Sequence, residues 1–236
     1  MTSSAIGLLQ YLPDELFWKT LREACGSSMY SLPEEIGHIL GVHFWERMDA
    51  DGTYNTQSVE PDVWIETEHF DILIEAKVSD SSSDNSQSSY QWFNEIVALA
   101  NHYGNERDRG LVFIAMGGNE SLRTQTCTVN GEDITIYTAS WYDLLAAVLK
   151  IRKSCANSPE LSSVLRLLDD IVMAMQYHHI ISTVWFDSML PETINPDARS
   201  FLEGHWFFDN KRLLASLTDN ETSIAIESLS DIWKTV

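Results

Sequence analysis

Residues two apart on an extended strand share a face, so the apolar positions of a half-buried strand must have one parity. Two neighbouring stretches of this chain obey that rule and lock their parities together. In the first, Val63 and Ile65 form the apolar set, with Asp62, Trp64 and Glu66 opposite. In the second, Ile72, Ile74 and Ala76 form it, with Asp71, Leu73, Glu75 and Lys77 opposite. For both apolar sets to share one core face, antiparallel pairing must set odd positions against even ones. A two-residue turn at Thr67-Glu68, with Glu66 paired to His69, meets that condition. Asp62 then falls opposite Leu73 and diagonal to Glu75, within reach of a shared ion. Crowded carboxylates repel unless a cation joins them, so the pattern predicts a divalent metal site with Lys77 beside it.

The surrounding sequence supplies helices. Pro13 to Ala24 has Leu16, Phe17, Thr20 and Leu21 on one side and a stop at Gly26. Ser31-Leu32-Pro33-Glu34 has the form of a capping box, which predicts a second helix from Ser31 to about Trp45 with Ile36, Ile39, Leu40 and Phe44 as its stripe. Glu34 would answer the cap, leaving Glu35 free for another role. Ser79 to Ser89 is rich in Ser, Asp, Asn and Gln and reads as a solvated connector in preference to a lid. Ser89 to Tyr103 reads as a helix covered on two sides, with Gln91, Asn94, Glu95 and His102 in a narrow polar strip. Leu111 to Met116 predicts a central strand, Asp133 to Thr138 another, and Ser140 caps a helix running through Leu149.

Pro61-Asp62 followed by Glu75-Ala76-Lys77 resembles the namesake motif of the PD-(D/E)XK nuclease superfamily, over roughly residues 31–149. The resemblance implies an α/β fold, restriction-endonuclease-like, with a mixed central sheet flanked by helices. The expected organisation is a nuclease-like core with N-terminal helices over 1–153, then a helical C-terminal extension packed on it over 154–236. That extension would begin with a long helix from Ser158-Pro159 carrying Leu161, Leu165, Leu168, Val172 and Met175. The resemblance further implies magnesium or manganese as cofactor, held by Asp62, Glu75 and the backbone carbonyl of Ala76. Glu35, on the preceding helix, would complete the metal shell, and Gln91, opening the following helix, would orient a phosphate or the attacking water. Each has a plainer reading too: an acid in a first helical turn favours the helix dipole, and a glutamine is an ordinary helix-start residue. Lys77 is read as a water-orienting and charge-stabilising group in preference to a general base. The implied activity is metal-dependent hydrolysis of phosphodiester bonds, in DNA.

Charge opposes that reading. Lys and Arg number 15 against 35 Asp and Glu, a formal net charge of -20. Proteins that hold nucleic acid place cations against phosphates, and no long basic run appears here. A small phosphate-binding surface, a protein partner or further subunit of an oligomer that supplies basic surface, or a chain that no longer cuts would each reconcile the two. The rival expectation is a catalytically inactive interaction subunit of the same fold, or an acidic inhibitor of a basic partner. No apolar run is long enough for a membrane span, and three scattered cysteines, Cys25, Cys127 and Cys155, suggest a reducing cytoplasm. His178-His179 do not chelate together, because adjacent helical residues point about 100° apart.

Overall fold

The structure, a computed structural model, describes residues 1–78, 80, 86–104, 108–119 and 123–181. Most of the 79–89 connector and the expected extension beyond 181 lie outside the described residues.

A mixed six-stranded sheet forms the centre, in the order β1-β4-β5-β6-β8-β7. Its strands are β1 (Ile39–Phe44), β4 (Val63–Thr67), β5 (Phe70–Ala76), β6 (Gly110–Met116), β7 (Gln125–Val129) and β8 (Glu132–Ala139). β5, β6 and β8 run parallel, while β1, β4 and β7 are antiparallel to their neighbours. A separate ribbon pairs β2 (Met48–Asp49) with β3 (Ser58–Val59). The helices are α1 (Thr2–Leu9), α2 (Asp14–Ala24), α3 (Ser89–Tyr103), α4 (Trp141–Cys155) and α5 (Ser162–Tyr177).

The two faces of the sheet carry different cores. Val63, Ile65, Ile72, Ile74, Val112 and Ile114 pack with the apolar faces of α1, α2, α4 and α5. Trp64, Leu73, Phe113, Ala115 and Ile136 pack with Trp92, Ile96 and Leu99 of α3, and with Met48 and Val59 of the ribbon. Each such side chain contributes roughly 1.5–3 kcal/mol on full burial, so neither face can be turned to water. Asp62, Glu75 and Lys77 lie opposite the Val63–Ile65 face, as strand parity requires, and share their side of the sheet with the core beneath α3.

Local signals explain several elements. At the start of α4, Ser140 Oγ accepts the Asp143 N–H at 3.0 Å and the Asp143 carboxylate accepts the Ser140 N–H at 3.2 Å, a reciprocal capping box. β7, not expected from the sequence pattern, is joined to β8 through Asn130 and Gly131, both at positive φ. Asn-Gly is the pair that adopts such a two-residue hairpin turn with least strain.

Three expectations need correction. The helix foreseen from Ser31 to Trp45 does not form. A short 3-10 turn, Gly26–Ser31, leads instead to irregular chain and then β1. Gly37 sits at φ +73, where a Cβ would meet the Glu68 side chain at 2.6 Å, and Glu68 accepts the His38 N–H. That clasp draws the segment onto the β4–β5 turn, and β1 then pairs antiparallel with β4. The helical spacing of Ile36, Ile39, Leu40 and Phe44 is therefore coincidental: Leu40 is exposed, while Val42 and Phe44 pack into the core at strand spacing. Second, the hairpin closes later than expected, with Glu66 opposite Asp71. Thr67 Oγ1 bonds both the N–H and the carbonyl of Phe70, which fixes the turn over Glu68 and His69. Third, Pro159 opens a single 3-10 turn, Pro159–Leu161, and α5 begins only at Ser162. α5 belongs to the compact unit Met1–Ser182 and buries Val164, Leu168, Ile171 and Met175 in its core. Among the described residues, no helix is long and apolar enough to cross a membrane.

Candidate active site

The later hairpin closure moves the register by two residues. Parity survives, because two is the period of the strand, but Asp62 now comes level with Glu75 instead of diagonal to it. Both lie where the parallel strands β5, β6 and β8 end, the edge at which open α/β sheets commonly hold ligands.

Asp62 is anchored through both oxygens. Oδ2 accepts the Ala76 N–H at 2.9 Å, and Oδ1 accepts the Trp45 indole N–H at 3.3 Å. Glu75 is 2% exposed and is gripped from two sides. Its Oε1 accepts Lys77 Nζ at 2.6 Å and Gln91 Nε2 at 2.5 Å, while Lys77 also donates to Gln91 Oε1 at 2.7 Å. Gln91 and Lys77 thus close a ring of hydrogen bonds on one carboxylate oxygen.

Glu35 is not part of this cluster. It is exposed and lies in the segment clasped to the Glu68–His69 turn, where Ile36 accepts the His69 N–H. That turn is at the opposite end of the β4–β5 hairpin, and a strand of seven residues such as β5 runs about 20 Å. Glu35 instead lines an open groove of about 720 Å³ with Asp14, Glu15, Arg22, Glu34 and Glu68.

The third acid is Glu95, from the polar strip of α3, beside Glu75. It is 1% exposed and hydrogen-bonded to Glu75. Burial raises its pKa well above the usual carboxylate range, and the neighbouring Glu75 and Asp62 charges push the same way. The Glu75 pKa is raised by burial as well and by Asp62, against the lowering effects of the Glu95 and Lys77 hydrogen bonds. Two carboxyls in contact cannot both ionise, so Glu95 keeps the proton and donates it to Glu75. Its other oxygen, Oε2, is buried with no hydrogen-bond partner among the described residues. A signal for Glu95 did exist: it stands four residues after Gln91, hence on the same helical face.

Gln87 was also missed. Its amide nitrogen reaches the carbonyls of Glu75 at 3.1 Å and Gly117 at 3.0 Å, and its oxygen accepts the Trp92 indole N–H at 2.9 Å. It ties the ends of β5 and β6 to α3 and fixes the backbone on which Glu75 and Lys77 stand. From the far side of the sheet, the Trp141 indole donates to the Lys77 carbonyl at 2.7 Å.

No family model and no curated protein matches this chain. Among the described residues, no group of three or more His, Cys, Asp or Glu side chains is arranged to hold a metal ion. What the fold does assemble is a buried acid pair, one lysine, one glutamine and a half-buried aspartate on a single edge.

The buried proton has a measurable consequence. A carboxyl whose pKa is raised by folding stabilises the fold below its unfolded value, and loses that contribution as pH rises through the folded value. Glu95→Gln keeps a donor toward Glu75 but cannot ionise. Above the reference value of 4.5, wild type should lose up to about 1.4 kcal/mol per pH unit relative to the variant. Urea midpoints of the two proteins across pH provide the check, and parallel curves would mean that Glu95 titrates as an ordinary surface acid.

Proposed function

We propose that this chain is a metal-dependent nuclease that hydrolyses phosphodiester bonds in DNA, on a restriction-endonuclease-like core. The observation that carries the reading is the meeting of Asp62, Glu75, Lys77 and Gln91 on one patch at the ends of the parallel strands. The donor set suits a hard divalent cation such as magnesium or manganese. Asp62, Glu75 and the Ala76 carbonyl would offer it oxygen ligands. A bound divalent cation would supply an acidified water and neutralise charge on the phosphate.

The protein's own groups have separable tasks. Lys77 holds positive charge beside the carboxylates and can turn its ammonium toward a phosphate oxygen, where charge builds during displacement. Gln91 positions Lys77 and Glu75 through one amide, and the same amide can orient a water. Asp62 is held rigid by Ala76 and Trp45, so its lone pairs need little reorganisation.

The test is a cleavage assay on single-stranded, duplex and branched DNA with magnesium or manganese, against chelator and a Glu75→Gln control. Divalent-dependent cutting that disappears in the variant is the expected result. The charge of -20 favours a second reading, a non-catalytic subunit or acidic inhibitor that docks on a basic partner. Absence of cutting on every substrate would select it.

A further inference from the structure

Three exposed aromatic rings stand on the elements that carry the carboxylate cluster or beside them. Trp45 is 51% exposed, Tyr54 64% and Tyr90 67%. Trp45 follows β1 directly and donates its indole N–H to Asp62. Its backbone lies at φ +52, a left-handed conformation that is an outlier for so bulky a residue. The surroundings hold it there: its N–H bonds the Asp62 carbonyl, and its ring lies 5.7 Å from Phe44. Tyr90 immediately precedes Gln91 on α3, and Tyr54 meets it edge-on at 5.3 Å while resting against Phe93 at 5.0 Å. The loop carrying Tyr54 is pinned to α3, since Asn94 accepts the Tyr54 N–H at 2.8 Å and donates to Asn55. These rings are fixed in place yet open to solvent.

Among the described residues, two cations near the site are each paired with an acid. Lys77 faces Glu75, and Arg47 faces Glu60 at 3.9 Å. A continuous duplex is gripped through its phosphates and hides the faces of its bases, so it suits this surface poorly. An unpaired strand exposes those faces, and each stacked base adds affinity without requiring a cation. Resting on the nuclease reading, we infer that Trp45 and the Tyr54–Tyr90 pair stack unpaired bases, and that the substrate is single-stranded DNA or a single-stranded DNA end. Trp45 would place a base beside Asp62, and the tyrosine pair would hold one on the α3 side of Gln91.

The experiment is an anisotropy titration of the full chain against a labelled single-stranded oligodeoxynucleotide and a blunt duplex of equal length, with calcium replacing magnesium. The single strand should bind at least about tenfold tighter than the duplex. Tyr54→Ser with Tyr90→Ser should weaken single-strand binding by about tenfold, as should Trp45→Leu, whereas Tyr54→Phe with Tyr90→Phe should retain it. The tyrosine rings are exposed, so these exchanges test stacking without emptying a core. Equal or tighter duplex binding, or single-strand binding indifferent to the rings, would overturn the inference. The parent reading is judged separately: aromatic-dependent binding without cleavage leaves stacking standing and removes the nuclease, while cleavage indifferent to the rings does the reverse.

Discussion

On the nuclease proposal, Lys77→Met should reduce divalent-dependent cleavage by about a hundredfold or more, because it deletes the ammonium held against the Glu75 carboxylate. It should also destabilise the fold, and the pH dependence of that loss identifies the cause. Lys77 lowers the Glu75 pKa, which burial has already raised. Without the lysine it rises further, so the variant's Glu75 is stable as the neutral acid and costly as the anion. Near pH 8, leaving a buried carboxylate without its cation costs about 3 kcal/mol. At about pH 5 the raised Glu75 pKa favours the neutral acid more than at about pH 8, so the deficit should shrink. Urea unfolding of both proteins at the two pH values measures this. A deficit independent of pH would mean that Lys77 contributes packing and not charge.

Trp141→Ala should produce the largest loss of stability, about 3–5 kcal/mol. Trp141 is fully buried, with its backbone N–H on Asp80 and its indole N–H on the Lys77 carbonyl. Native domains are stable by only about 5–15 kcal/mol, so the variant should lie close to unfolding. Trp141→Phe isolates the hydrogen bond: the ring volume is mostly kept, and the unsatisfied Lys77 carbonyl costs about 1–3 kcal/mol. Cleavage by the Phe variant should fall by about tenfold at temperatures where it remains folded, since Lys77 loses one of the groups that position it. Chemical denaturation and single-turnover cleavage of both variants give the two readouts. Full activity in Trp141→Phe would show that α4 supports the sheet without tuning the site.

The two predictions concern opposite faces of one strand end. Lys77 projects its side chain toward α3 and its carbonyl toward α4, so β5 is clamped between Gln91 on one side and Trp141 on the other. Chemistry placed at such a clamp is held by rigid elements, which favours electrostatic preorganisation.

Strand parity determined from the sequence alone that Asp62, Glu75 and Lys77 share a side of the sheet, because alternation is a property of the extended backbone itself. The Ser140–Asp143 cap, the α3 boundaries and the central strand β6 were equally legible, since each depends on neighbours within a few residues. Parity could not fix the hairpin register, because a slip of two residues preserves every face; the Thr67 hydroxyl and the Glu68 contact to His38 decided it. Nor could a helical stripe in 31–45 show that Gly37 would turn left-handed against Glu68 and release that segment into an edge strand. Glu95 stands on the narrow polar strip of α3, and only the docking of α3 over the sheet buries it beside Glu75. Burial depends on what lies across the gap, and for Glu95 that partner is a strand twenty residues earlier in the chain.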